Sequence, residues 1–419
     1  MKYIPRHIED VVKNTKNSFK CVLLTGARQV GKTKLLTTNF PEYKHVLFDD
    51  PFLEDSANES PETFMMLNPS PVFFDEVQRV KNLFRYIKLK TETSDKKGQY
   101  LLSGSQPLEL MKQVSESLSG RAGIVELSGL SLREIEGATF KEPFLPTLEF
   151  VNSHSASAKA PSNIWNIIHR GSYPELQDET VDWNMFYSSY VKTYLERDVR
   201  ELAAVQNLTT FRNFMVACAA RTGQVLNCAN IASELGITAK TVRAWISILE
   251  TTGIVYLLEP YSASTLTRAT KSPKLYFRDT GLASYLTRWL TADTLAFGAM
   301  SGAMFETFVV SEILKSYSNR GIDYRFCVSY YRGKDKKKVT KDGKISYEEC
   351  EIDLIIEKDG VLYPIEIKQT ASVSSDMTSA FLVLDRIPEK RRGQGAIVCN
   401  CSAPGALRDN ILQIPIWYI

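Results

Sequence analysis

The residues Gly26-Ala27-Arg28-Gln29-Val30-Gly31-Lys32-Thr33 follow an apolar run, Cys21 to Thr25, and fit the pattern G-x-x-x-x-G-K-[ST]. Glycines at those spacings let the backbone N–H groups of Gly26 through Lys34 wrap a phosphate chain, and a helix opening at Lys34-Leu35-Leu36 adds the partial positive charge of its N-terminus. Lys32 would reach the β and γ phosphates of ATP, and the Thr33 hydroxyl would ligate Mg²⁺. Farther on, Phe73-Phe74-Asp75-Glu76 ends another apolar run with adjacent carboxylates. Asp75 would hold the ion through water and Glu76 would polarise the attacking water. Alone, such a pair reads as a helix cap; the glycine loop upstream turns it toward nucleotide hydrolysis. Leu102-Ser103-Gly104-Ser105-Gln106 then offers small polar groups, Ser105 among them, where a γ-phosphate sensor belongs, or else a plain turn.

A second set lies toward the C-terminal end: Glu306 on a helical stretch, Asp353 in Glu351-Ile352-Asp353-Leu354-Ile355, and Glu366-Ile367-Lys368. Strand alternation puts Glu366 and Lys368 on one face while Ile365 and Ile367 turn to a core. Asp353 and Glu366 would share one or two Mg²⁺ or Mn²⁺ ions, with Lys368 orienting a water and Glu306 completing the site. This is the D…E-x-K pattern of a nuclease superfamily. Charges alternate on many edge strands, so a domain that binds without cutting fits the same residues.

The elements that would position these groups follow from apolar patterning. Residues 1–135 alternate buried-type runs with helix-length segments, as a parallel sheet covered on both faces requires. Residues 136–163 are rich in Pro, Ser, Ala and Thr and read as a surface linker. Residues 164–295 are helical. Within them a winged helix-turn-helix is expected at about 211–260, its first helix ending at Gly236, Thr238 capping the next, and Gly253 stopping it before a strand at Ile254–Leu258. Val242, Trp245, Ile246 and Leu249 form that helix's buried stripe and leave Lys240, Arg243 and Ser247 outward, suited to DNA contacts or to packing on a protein. Residues 296–419 form a second α/β unit.

Composition bounds the function classes. With 44% hydrophobic and 24% charged residues the chain is an ordinary globular protein, too long for a single small module. No stretch has the apolar length of a membrane span, the N-terminus lacks a signal-peptide pattern, and a cytoplasmic location is expected. Seven scattered cysteines without a CxxC pair exclude a disulfide framework or zinc ribbon. A net charge of only +3 means that DNA contact needs a local patch. Arg332 to Lys344 is the most basic stretch, with Arg332, Lys336, Lys337 and Lys338 as candidate phosphate contacts or as a solvated hairpin tip.

Tyr3-Ile4-Pro5-Arg6, Gly26 to Thr33, Phe74-Asp75-Glu76-Val77-Gln78, Leu102 to Ser105, His169-Arg170-Gly171-Ser172-Tyr173-Pro174, Tyr194 to Arg200, Lys271 to Leu282 and Ile365 to Lys368 together span nearly the whole chain. In these segments it resembles the bacterial and archaeal AAA-type ATPase family whose C-terminal half is a domain of unknown function of the DUF4143 type. The resemblance implies an ATPase core with an additional strand, a winged helix and a restriction-endonuclease-like end. Related ATPases place an arginine directed at the γ-phosphate near the last core strand, where Arg121 stands. Arg121 would then act in cis, or across an interface if the chain forms a homo-oligomer, unless it makes only a helix-end salt bridge. Arg197 and Arg200 are alternatives that would otherwise pair with Glu196, Asp198 or Glu201. Two functions fit: an ATP-driven DNA-processing factor, or a nucleotide-dependent switch that binds protein partners.

Overall fold

The computed structural model describes residues 3–104, 110, 113, 114, 116–194, 199, 207–262, 271–339 and 345–419, and between 334 and 348 only the backbone. Strands β1 (Cys21–Thr25), β2 (Lys44–Leu47), β3 (Val72–Asp75), β4 (Tyr100–Ser103) and β5 (Ala122–Glu126) form a parallel sheet in the order β2-β3-β4-β1-β5. Every residue of β1, β3 and β4 is buried, as their unbroken apolar runs require. Because β4 lies between β1 and β3, the residues that follow or end these three strands share one edge of the sheet. Carboxyl ends of parallel strands are where α/β proteins hold ligands. Helix α1 (Glu9–Ser18) covers the sheet, and α2 (Lys32–Asn39) starts directly from Gly31.

The segment 136–163, expected to be a surface linker, is partly built into the core. Thr147 caps a helix over Leu148–His154, and Phe144, Phe150, Val151 and His154 are buried. The Phe144 N–H donates to Ser316 Oγ at 3.0 Å, and its carbonyl accepts from the Tyr317 hydroxyl at 3.0 Å. A few aromatic anchors outweigh the surrounding Pro and Ser, which occupy turns.

In the middle of the chain, α3 (Leu208–Ala219), β6 (Gln224–Val225), α4 (Cys228–Leu235), α5 (Ala239–Thr251), β7 (Val255–Leu258) and β8 (Lys274–Phe277) form three helices and an antiparallel sheet ordered β6-β8-β7. Asn227 caps α4, Gly236 ends it at φ 65°, and the Thr238 hydroxyl accepts the Thr241 N–H at 3.1 Å to start α5. Val242, Trp245, Ile246 and Leu249 are buried, with Trp245 against Phe211 and Phe214.

The C-terminal unit pairs α6 (Ser301–Ser318) with a mixed sheet. Its strands are β9 (Val328–Val339), β10 (Ile345–Lys358), β11 (Val361–Lys368), β12 (Arg391–Arg392), β13 (Gly395–Cys399), β14 (Gly405–Arg408) and β15 (Ile411–Pro415). They run in the order β14-β15-β13-β11-β10-β9, with β12 beside β11. Polar contacts stitch α6 to the first sheet's follow-on loop: the Leu132 N–H donates to Glu312 at 2.7 Å, and Lys315 donates to the Leu130 carbonyl at 2.8 Å. Arg133 donates to the carbonyls of Tyr418 and Ile419. One buried apolar cluster runs from Leu24 through Trp245 and Tyr276 to Val309 and Ile365. All seven cysteines are free, and among the described residues no helix is long and apolar enough to cross a membrane.

Candidate functional site

The glycine loop leaves β1 at Gly26, whose φ is 141° and whose added Cβ would lie 2.2 Å from the Leu127 carbonyl oxygen, so only glycine fits. Gly31, at φ 96°, turns the chain into α2. Lys32 is buried and curls over the loop, its Nζ donating to the carbonyls of Gly26 at 3.0 Å and Ala27 at 2.8 Å. Thr33 Oγ1 donates to Asp75 Oδ2 at 2.7 Å, and Ser103 Oγ donates to Asp75 Oδ1. His45 Nε2 stands 3.3 Å from the same Asp75 Oδ2, its ring stacked on Phe73. Glu76 leaves β3 in the left-handed region at φ 55° and accepts from the Gln78 amide. Arg28 is half-buried and Lys34 exposed at the mouth of the loop.

Arg6 holds the loop from behind. Its buried guanidinium donates to the carbonyls of Val30 at 3.0 Å, Ser128 at 2.7 Å and Gly129 at 3.1 Å, and its Nε is 3.2 Å from Glu134. Burial alone would raise the Glu134 pKa; the charges of Arg6 and His7 and two backbone N–H bonds overcome it and hold that carboxyl below its ordinary value. The middle unit also reaches the loop. A Cβ added at Gly253, just past α5, would meet the Ala27 Cβ at 3.3 Å, and Arg278 after β8 pairs with Glu126 at the end of β5.

The four residues picked out near the C-terminal end converge. Glu366 and Lys368 lie half-buried on one face of β11 while Ile365 and Ile367 are buried on the other. Lys368 Nζ is 2.6 Å from Glu366 Oε1 and 4.0 Å from Asp353 Oδ2, which accepts the Ile367 N–H at 2.8 Å. Glu306 comes from α6. It accepts from the Tyr276 hydroxyl at 2.6 Å and from Lys274 at 3.2 Å, and both partners belong to β8 of the middle unit.

Residues 18–136 match the model of the AAA domain, residues 344–419 match that of a domain of unknown function, DUF4143, and residues 162–293 match a further domain of unknown function, DUF8612. The chain thus joins an AAA-domain segment at 18–136 to a DUF4143 segment at 344–419, the pairing that the sequence resemblance implied. The chain is similar to uncharacterized proteins of Mycobacterium bovis and Mycobacterium tuberculosis, each 28% identical over 374 residues, covering 87% of this chain and 74% of theirs. It is also similar to a solved Walker-type ATPase of Pyrococcus abyssi, 14% identical with a TM-score of 0.38, over 67% of this chain and 94% of that one.

Arg121 precedes β5, and the register Cys21↔Ala122, Thr25↔Glu126 places it a whole strand length from the glycine loop. It pairs there with Glu92 at 3.1 Å, as the salt-bridge alternative has it, and a cis contact with a nucleotide on the loop is out of reach, because parallel strands put residues before a strand and residues after one at opposite edges. Ser105, Glu196, Arg197, Asp198, Arg200 and Glu201 lie outside the described residues, as do the side chains of Lys336, Lys337 and Lys338. Lys240 and Arg243 are exposed on α5. Arg243 and Arg332, far apart in sequence, line one groove of about 720 Å³. Sequence reasoning missed Arg6, His45, Lys274 and Tyr276. Arg6 and Lys274 lie in the segments that carry the family resemblance, Tyr3 to Arg6 and Lys271 to Leu282.

Proposed function

We propose that this protein is an ATP-hydrolysing switch whose grip on DNA follows its nucleotide state. The observation that carries the reading is the placement of α5: the turn at its end touches the glycine loop at Ala27, while its body lines the groove that contains Arg243 and Arg332. One thirteen-residue helix thus joins the phosphate site to a groove that holds Arg243 and Arg332 beside Glu250. Rearrangement of the loop around a nucleotide would shift Gly253, and α5 with it.

The residues at the sheet edge suit each part of the hydrolysis. The glycine loop's N–H groups and the Lys32 ammonium bind the phosphates. Thr33 and Asp75 fit Mg²⁺, since their side-chain oxygens face each other at 2.7 Å and the donors around them are hard oxygens. When bound, that ion neutralises charge on the β and γ phosphates. Ser103 and His45 fix the Asp75 carboxylate. Glu76, oriented by Gln78, accepts a proton from the attacking water. Arg121 serves this nucleotide only from a neighbouring copy of the chain.

For DNA, the three helices and the β6-β8-β7 sheet support a winged-helix reading with α5 as the helix offered to the groove of the duplex. Arg243, Lys240 and Arg332 would meet phosphates. The test is fluorescence anisotropy of labelled duplex DNA with ADP and with a non-hydrolysable ATP analogue. Affinity should differ between the two nucleotides, weaken steeply with salt, and lose its nucleotide dependence in Lys32→Ala. Absence of DNA binding at low salt, with oligomeric state following the nucleotide, would replace DNA by a protein partner.

A further inference from the structure

The C-terminal acidic cluster contains a cation that the D…E-x-K pattern does not call for. Lys274 begins β8 in the middle unit, yet its side chain is only 3% exposed and ends among carboxylates of α6 and β10. Its Nζ lies 2.5 Å from Glu351 Oε1, 3.2 Å from Glu306 Oε1 and 3.8 Å from Asp353 Oδ1, and 5.6 Å from the centre of the Tyr330 ring. Asp353 is flanked on both sides: Oδ1 faces Lys274, while Oδ2 accepts the Ile367 N–H and faces Lys368. Glu366 is taken by Lys368 and Glu306 by Tyr276 together with Lys274.

A Mg²⁺ ion needs oxygens converging at about 2.0–2.1 Å in near-octahedral array. Among the described residues no three His, Cys, Asp or Glu side chains are so grouped. The donor set is chemically suitable, but both oxygens of Asp353 and one oxygen each of Glu306, Glu351 and Glu366 are directed at ammonium, hydroxyl and N–H groups, so the residues as arranged do not fit the ion. Burying an ammonium costs several kcal/mol unless charges repay it. Here Lys274 is held above its ordinary pKa by Glu306, Asp353 and Glu351 although burial opposes this.

We infer that Lys274 is the resident cation of this cluster: its ammonium takes the place among Glu306, Glu351 and Asp353 that a divalent ion would need, and locks β8 of the middle unit onto the C-terminal sheet. The nuclease-like residues then serve as a joint between units, and a divalent ion enters only when β8 is drawn away. This holds whether or not the groove beside α5 takes DNA.

The test uses the full chain with Asp75→Asn added throughout, which silences the nucleotide site, and counts bound Mn²⁺ by electron paramagnetic resonance. With Lys274 present, no Mn²⁺ should bind in a way that Glu366→Gln removes. Lys274→Met should bind Mn²⁺ at least tenfold more tightly, and the added Glu366→Gln should abolish the gain. Melting keeps the idea falsifiable if Lys274→Met folds poorly: its Tm should fall by roughly 5 °C or more, and Lys274→Arg or an added Glu306→Gln should recover much of that loss. Glu366-dependent Mn²⁺ binding with Lys274 in place, a folded Lys274→Met that gains no Mn²⁺, or a Lys274→Met that melts like its parent would each overturn the inference.

Discussion

Asp75 ends β3 and Asp353 lies within β10, and the company of these two carboxylates differs. Asp75 is met by two hydroxyls, Thr33 and Ser103, and by the imidazole of His45. Asp353 is met by two ammonium groups, Lys274 and Lys368, and by a backbone N–H. Hydroxyls orient a carboxylate and leave its charge for an incoming cation. Ammonium groups spend that charge inside the protein. On the two proposals above, the acidic sites have opposite uses: the first would receive Mg²⁺ with a nucleotide, and the second would hold the chain together.

The largest effect should come from the first site. Lys32→Ala or Glu76→Gln should lower kcat for ATP by about 10²–10⁴-fold, the range seen when a charge-stabilising donor or a general base is lost. Glu366→Gln should leave it within about twofold, in a steady-state phosphate-release assay. An equal loss in Glu366→Gln would erase the contrast. Next comes Arg6→Ala, which leaves Glu134 buried without its guanidinium and three carbonyls without a donor. Chemical denaturation should show a loss of about 3–5 kcal/mol.

The second site should also be visible in pH dependence. Burial, followed by the charge of Asp353, pushes Glu306 up to about 7 and Glu366 up to about 8. A carboxyl whose folded pKa exceeds its unfolded one binds its proton more tightly when folded, so its contribution is complete below the unfolded value and is lost as pH rises through the folded one. Stability should thus decline from about pH 4.5 to about pH 8, by at most about 1.4 kcal/mol per pH unit for each group. Glu366→Gln should flatten the upper part of that decline in pH-resolved melts, and an unchanged slope would remove Glu366 from the account. The smallest effect is at the groove. Arg243→Ala or Arg332→Ala should weaken DNA binding uniformly across sequences and reduce the salt slope by about 1.

The first site was legible because its chemistry is contiguous: a glycine loop must be written in consecutive residues, and the strand before it and the helix after it show in the same window. Helix ends at Gly236 and Thr238 were legible for the same reason. Alternation along β11 predicted which way Glu366 and Lys368 face. What escaped came from distance. Nothing local to Arg6 says that it reaches Val30 and Ser128, and nothing local to Lys274 says that β8 will lie against α6 and β10. Arg121 kept its alternatives open, cis, across an interface or a salt bridge, because nearness to a strand in sequence does not say which end of the strand meets the loop. Phe144 and Phe150 anchor a segment whose average composition is that of a linker, and an average hides two aromatics.

The most direct test of the contrast is the number of Mn²⁺ ions bound per chain at saturating non-hydrolysable ATP analogue. One ion is predicted, lost in Asp75→Asn and unaffected by Glu366→Gln. A second ion that Glu366→Gln removes while Lys274 is in place would contradict it.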